Sequence, residues 1–271
     1  LTNGQDTWRA RYAETHTPGS EGGSGKRTGG DTGTAPGAYL TSGLNGIGHF
    51  DRALRLAGKG ADAYEIVNAA WQAGLTLVRS GHPNDALKLF QLGQFHLRGF
   101  QPGRSTPAAL RTDDLWIPTF TARLSRSSAT AYAVMGGIDE ATRCLAEARD
   151  GWAPRDLFER AGGDFVAAGV QLDLGRLDAA EQLAVSAVRT YGENHRRDRT
   201  QAELLLAEVH VRAGEPRGLT LARDAIEGVS TLQSVAARRR LVPLATALEA
   251  RPGTDHRELA RTARQIAETR T

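Results

Sequence analysis

Apolar residues recur at helical spacing from about Tyr39 onward, in blocks separated by short glycine turns. The stretch AYEIVNAAWQAGLTLVRS sets the pattern, with its small and large apolar positions three and four residues apart. The periodicity predicts helix pairs over 62–79 with 84–98, 117–135 with 138–150, 159–174 with 177–190, and 198–213 with 216–228. An earlier helix near 40–57 is expected to pair with this array or cap it, and two more follow near 231–249 and 255–269. The last reads as a terminal capping helix, with Asp255 at its N-cap and a heavily charged surface.

Four of the turns superpose: GHPNDA at 81–86, GGIDEA at 136–141, GRLDAA at 175–180 and GEPRGL at 214–219. Each opens on a glycine, which can take the positive φ that ends a helix. Three carry Asp one or two positions before the last residue, where an acid favours a new helix N-terminus. Twelve residues before the closing position stand Gly74, Ala129, Ala168 and Ala207, small enough for antiparallel helices to approach closely. Four after it come Phe90, Leu145 and Ala184, and seven after it Gly93, Ala148 and Ala187; the fourth unit matches better one residue out, as Gly218, Ala222 and Ala225. This spacing resembles the tetratricopeptide repeat, which implies an all-α fold of antiparallel helix pairs stacked as a right-handed solenoid. Closing positions Ala86, Ala141, Ala180 and Leu219 step by 55, 39 and 39 residues, so the helices are longer than in the basic repeat. The first gap carries an inserted connection, GFQPGRSTPAALRTD.

WQAGLTLVRSGHPNDALKLFQLGQF, LDLGRLDAAEQLAVSAVRTYG and LLLAEVHVRAGEPRGLTLARDAIEGVSTLQSVAARRRL follow one another along the chain. In that order they resemble the C-terminal region of actinobacterial helix-turn-helix regulators of the Xre type, over roughly 60–271. The resemblance implies a repeat module that senses, dimerises or binds a partner, attached to an N-terminal DNA-binding domain. Nothing before Tyr39 has the make-up of such a domain. The chain opens on Leu rather than Met, which suggests a fragment.

Residues 1–39 instead form a Gly/Ser/Thr-rich segment, read as a disordered tether to a repeat domain over 40–271. Its GSEGGSGKRTGG superficially suggests a phosphate loop, but the required Gly falls on Ser20 and the required Ser or Thr on Arg27. Cations Arg9, Arg11, Lys26 and Arg27 balance anions Asp6, Glu14, Glu21 and Asp31, so the segment is no basic arm for DNA.

Composition narrows the remaining choices. Hydrophobic residues make up 40% and aromatics only 6%, so the core must be built from Ala, Leu and Val. Lys26, Lys59 and Lys88 are the lysines, and this preference for Arg points to a GC-rich actinobacterial genome. The net charge of +3 is spread along the chain rather than gathered, which argues against direct nucleic-acid binding. One cysteine, Cys144, excludes an internal disulfide and reads as a small buried residue. No apolar run is long enough to span a bilayer and no signal peptide opens the chain; a cytoplasmic location is expected.

No catalytic, metal or cofactor constellation is evident. The seven histidines include no HExxH, and no serine lies in a nucleophile elbow. Stacked helix pairs line a concave surface with their first helices. Counting from the small positions places Asn68, Trp71, Gln72, Leu75 and Arg79 there, then Arg123, Arg126 and Ser127, then Gln201 and Arg212. Asn and Gln can pair with a peptide backbone, Arg can grip a carboxylate with two parallel hydrogen bonds, and Trp71 can anchor a side chain or pack on the preceding helix. Arg238–Arg240 reads as a solvated cationic face. The expected role is a non-enzymatic sensor or interaction domain of a transcriptional regulator, binding a peptide or protein segment in this groove and able to form a homodimer. The alternative is a constitutive protein–protein scaffold.

Overall fold

A computed structural model of the chain describes Arg55 and residues 63–99, 116–150, 152, 154 and 156–268. The expected tether over 1–39 lies outside them, as does the helix near 40–57 except for Arg55, which is helical. Among the described residues the chain has ten α-helices and no strand. They are α1 (Ala63–Arg79), α2 (Pro83–Arg98), α3 (Trp116–Val134), α4 (Ile138–Asp150), α5 (Leu157–Asp173), α6 (Leu177–Tyr191), α7 (Arg196–Ala213), α8 (Arg217–Ser230), α9 (Val235–Glu249) and α10 (Thr254–Glu268). They pack as five adjacent antiparallel pairs, the all-helical repeat architecture that the turn spacing predicts.

The turns work by one repeated device. Gly81, Gly136, Gly175 and Gly214 all sit in the left-handed region, at φ of 81°, 78°, 73° and 77°. Each glycine N–H donates to the carbonyl three residues back, those of Val78, Ala133, Leu172 and Val211, at 3.0–3.1 Å. Each following N–H donates five residues back, to Leu77, Tyr132, Gln171 and His210, at 2.9–3.0 Å. This pair of bonds is the Schellman closure, which satisfies helix-end carbonyls that would otherwise be orphaned.

Within each pair the small positions set how closely the helices approach. A Cβ built on Gly74 would meet the ring of Phe90, and one built on Gly218 would lie 2.9 Å from the backbone of His210 and Val211. Ala86, Ala129, Ala141, Ala168, Ala180, Ala184 and Ala207 are fully buried, so the core is made of methyl groups where the pairs touch. The slipped register of the fourth unit is real, with Gly218, Ala222 and Ala225 all buried.

Several boundaries move. Helix α5 starts at Leu157 because Asp156 caps it, its Oδ1 accepting from the Glu159 N–H at 2.8 Å. A 3₁₀ turn at Glu193–His195 leads into α7. Helix α9 starts four residues later than the periodicity suggests, at Val235, where the Ser234 hydroxyl accepts from the Ala237 N–H. Asp255 lies inside the first turn of α10 rather than at its cap. The last two helices do more than cap: α9 and α10 form a fifth pair and share a large apolar cluster with α7 and α8. Arg251, in the turn between them, donates from Nε to the Val211 carbonyl at 2.8 Å and so ties the fifth unit to the end of α7.

Two substitutions separate the backbone and packing requirements. Gly175→Ala adds a methyl group into open space at positive φ and should cost about 1–2 kcal/mol through backbone strain alone. Gly218→Ala forces helix against helix and should cost about 1–3 kcal/mol. At about 2–4 °C per kcal/mol both losses are readable by thermal circular dichroism. An unchanged midpoint for Gly175→Ala would show that the turn does not need its left-handed glycine.

Candidate ligand groove on the first helices

The first helices α1, α3, α5, α7 and α9 pack side by side in that order as one row. The shared turn puts equivalent residues at equivalent places along it. Arg79, Val134, Asp173 and Arg212 each stand two positions before the turn glycine, and Leu75, Thr130, Gly169 and Glu208 each stand six before it. Arg79, at the end of α1, feels the charge of Arg239 on α9. Arg79 is open to water yet recessed among the helices, and that crowding, with Arg239, pushes its guanidinium below the ordinary range.

Over the first three units the expected groove residues engage one another. Trp71 donates from Nε1 to the Ser127 hydroxyl at 3.0 Å and meets Phe120 edge-on, so it packs on the following first helix. Arg123 lies 5.2 Å from the Trp71 ring centroid and 5.3 Å from that of Phe120, with its Nη2 3.6 Å from Glu159 Oε1. Arg126 is buried and stacks 4.1 Å over the Trp152 ring, where burial pushes its guanidinium down to about 10, still charged at neutral pH. Glu159 and Asp164 supply the opposing charge, and Asp164 accepts from the Ser186 hydroxyl at 2.7 Å.

Two arginines against two carboxylates make this a closed and balanced joint between units. Asn68 and Gln72 are half-buried on α1, and the Gln72 carbonyl accepts from the Thr76 hydroxyl.

The other end of the row is built differently. Glu208 on α7 is 2% exposed, with Oε1 2.7 Å from Arg212 Nη2 and Oε2 3.9 Å from Arg240 Nη2. Arg240 also lies 5.6 Å over the Phe165 ring, so the arginine run on α9 is not a uniformly solvated face. Its Nε–H is buried and has no hydrogen-bond partner in the structure. Asp173 is open to water but recessed; burial pushes its carboxyl up, against the pull of Arg240 and Arg212. Glu208 is raised for the same reason, and Asp173 adds to the effect. Around them α5 offers a hollow, since nothing lies within 4 Å of where a Cβ on Gly169 would be. Gln201 is half-buried further along α7.

A second ionic cluster joins units three and four. His210 is 1% exposed, with Nδ1 2.9 Å from Glu215 Oε2 and Nε2 3.6 Å from Glu181 Oε1. The two ring nitrogens face different carboxylates rather than converging on one point. The cation that both carboxylates hold is Arg217, bonded to Glu215 at 2.9 Å and to Glu181 at 2.5 Å. The donor set therefore reads as an inter-unit lock, although His210, Glu181 and Glu215 are chemically capable of holding a metal. Cys144 is buried and its thiol is pushed up by that burial, which suits packing. A cavity of about 310 Å³ lies apart from the charged floor, between α2, α3 and α4, lined by Leu97, Ile117 and Ser125 among others.

Arg79 and Arg212 stand at the register position the turn counting gives them, whereas Asp173 and Glu208 were not singled out from sequence and Arg240 belongs to the run read there as a solvated face. Their signal was present: Asp173 shares the register of Arg79 and Arg212. No helix among the described residues is long and apolar enough to cross a membrane. No family model and no curated protein matches the chain. Among solved structures the chain is similar to BtubC (BKLC) from P. vanneervenii, with a TM-score of 0.52 and 13% identity, over 84% of this chain and 88% of that one. The likeness places the chain among helical-repeat folds and speaks to the fold alone.

The raised carboxyl of Asp173 has a measurable consequence. A carboxyl raised in the folded state holds its proton more tightly there than when unfolded, so its contribution to stability is full at low pH and is lost as pH rises through the folded value. Asp173→Asn removes that loss. The variant should therefore gain in melting temperature relative to wild type at neutral pH, with the gain shrinking as pH falls into the carboxylate range. A constant difference across pH would contradict the raised carboxyl.

Proposed function

We propose that this chain is a non-enzymatic interaction domain that takes a peptide or partner segment along its row of first helices, and that it serves as the sensing module of a transcriptional regulator. The observation that carries the first half is the groove floor. It combines recessed charge, a bare backbone at Gly169 and polar side chains at regular intervals, which suits an extended chain better than a compact small molecule. The regulatory half rests on the sequence resemblance to Xre-type regulators. Binding would then be linked to the geometry of a dimer or to an attached DNA-binding domain, with the coupling measured as a change in affinity at one site on filling the other.

The groove reading is tested in the native cell with a photo-crosslinking amino acid placed at Gln201, on the inner row, or at Gln182, exposed on the second helix α6. Adducts are expected from position 201 and not from 182. Adducts from 182 alone, or from neither, would remove the groove as the binding surface. Sedimentation of the captured complex then reports whether partner binding changes the oligomeric state.

A further inference from the structure

His210 is the one buried histidine among the described residues, and the backbone sets it at the joint between units three and four. The turn at Gly214 closes on it: the Glu215 N–H donates to the His210 carbonyl at 3.0 Å, and the Glu215 side chain folds back to the ring. Helix α8 crosses at the same point, where a Cβ built on Gly218 would lie 2.9 Å from the His210 carbonyl carbon. That close crossing brings Arg217 beside the imidazole, its Nε 3.3 Å from Nδ1. Glu181 arrives from α6, in the preceding unit. Among the described residues these three are the charged groups paired with the ring. Glu208 and Arg212, two residues to either side, stand about 160° around α7. Asp173 of α5 and Arg240 of α9 are drawn to that opposite face, and Arg251 bonds instead to the Val211 and Arg212 carbonyls.

The two ring nitrogens are not equivalent. Nδ1 stands 2.9 Å from Glu215 Oε2, a hydrogen-bond distance, whereas Nε2 stands 3.6 Å from Glu181 Oε1, too far for one. A carboxylate only accepts, and a neutral imidazole has one N–H. The distances therefore assign that proton to Nδ1 and leave the Nε2 lone pair facing a carboxylate oxygen. Arg217 holds both carboxylates in place, and its bond to Glu215 keeps that carboxyl below the ordinary range and so ionised. Glu181, 31% exposed, connects Nε2 to solvent. We propose that His210 is a proton-operated clasp between units three and four: a proton from solvent adds to Nε2, the imidazolium donates to Glu181 and Glu215 at once, and α6 is drawn toward α7. A charged ring in a buried place is tolerated when each N–H has an acceptor, and this one has both acceptors waiting. Because α6 is paired with α5 and α7 belongs to the inner row, closing the clasp alters the spacing of that row. The inference does not depend on what the row of first helices binds.

Nitrogen NMR of the imidazole in the full chain tests the clasp directly. At about pH 8 His210 should carry its proton on Nδ1, and at about pH 5 both nitrogens should be protonated. A proton on Nε2 alone at the upper end, or a ring still neutral at the lower end, would overturn the proposal. The energetic test is a double-mutant cycle of His210→Gln and Glu181→Gln read by thermal unfolding. A second proton held more tightly in the folded state contributes stability that is full at low pH and lost as pH rises. The coupling between the two positions should therefore be worth about 2–4 °C in midpoint at about pH 5 and fall toward zero at about pH 8. A purely structural contact would give the same coupling at both, and that result, or a coupling that grows with pH, would sink the clasp. Should His210→Gln fail to fold, the nitrogen spectrum of the wild type still decides. Zinc ions that raise the midpoint of the wild type but not of Glu181→Gln would overturn the proton clasp in favour of a metal held by the same residues.

Discussion

Everything in this molecule is registered to the left-handed glycine that ends a first helix. Four times the chain places a glycine at φ between 73° and 81° and closes the helix with the same two hydrogen bonds. Because the closure fixes where the second helix starts, it also fixes which residues of the first helix face inward and how far they stand from the turn. Two and six residues before each glycine become the same place in space, repeated along the row. The inner face of the row is therefore a consequence of the turn, and its chemistry follows from what occupies those two positions in each unit.

The second constraint is the scarcity of aromatic side chains. With 6% aromatics the pairs cannot be wedged apart by large residues, so they close on buried alanines and on Gly74 and Gly218. The few aromatics are concentrated where the first units meet: Tyr64, Trp116 and Phe120 contact one another edge-on, and Trp71 joins through Phe120. Such contacts add to area burial and give direction to packing. At the other end a large aliphatic cluster joins α7 to α10, and directed polar bonds are added to it: the Arg217 lock across units three and four, and Arg251 on the carbonyls of α7. The array is thus knit by aromatic edges at one end and by aliphatic packing with polar bonds at the other.

Local physics explains what could be seen in the sequence. The turn glycines were legible because positive φ is a single-residue requirement, and all four sit where the alignment puts them. The small positions were legible because close approach excludes side chains. Helix starts were less so, since Asp156 and Ser234 act through one side-chain bond that periodicity does not register. For the inner face of the row, counting gave a set of positions but could not tell which of them would be consumed by neighbours. Trp71, Arg123, Arg126 and Ser127 all point into the row, yet their contacts run between α1, α3 and the Trp152 and Glu159 side chains. Which arginine meets a carboxylate depends on residues 30 or more positions away, as with Arg240 and Glu208, and no local pattern carries that.

The contrast between the two arginine groups separates a joint from a site. Arg126 pays for burial with a stacked indole and nearby acids, and the result is a rigid contact that leaves nothing over for a ligand. Glu208 also sits buried with arginines, but there desolvation outweighs their pull and its carboxyl is raised. Such an arrangement contributes little to folding that an apolar floor would not contribute better.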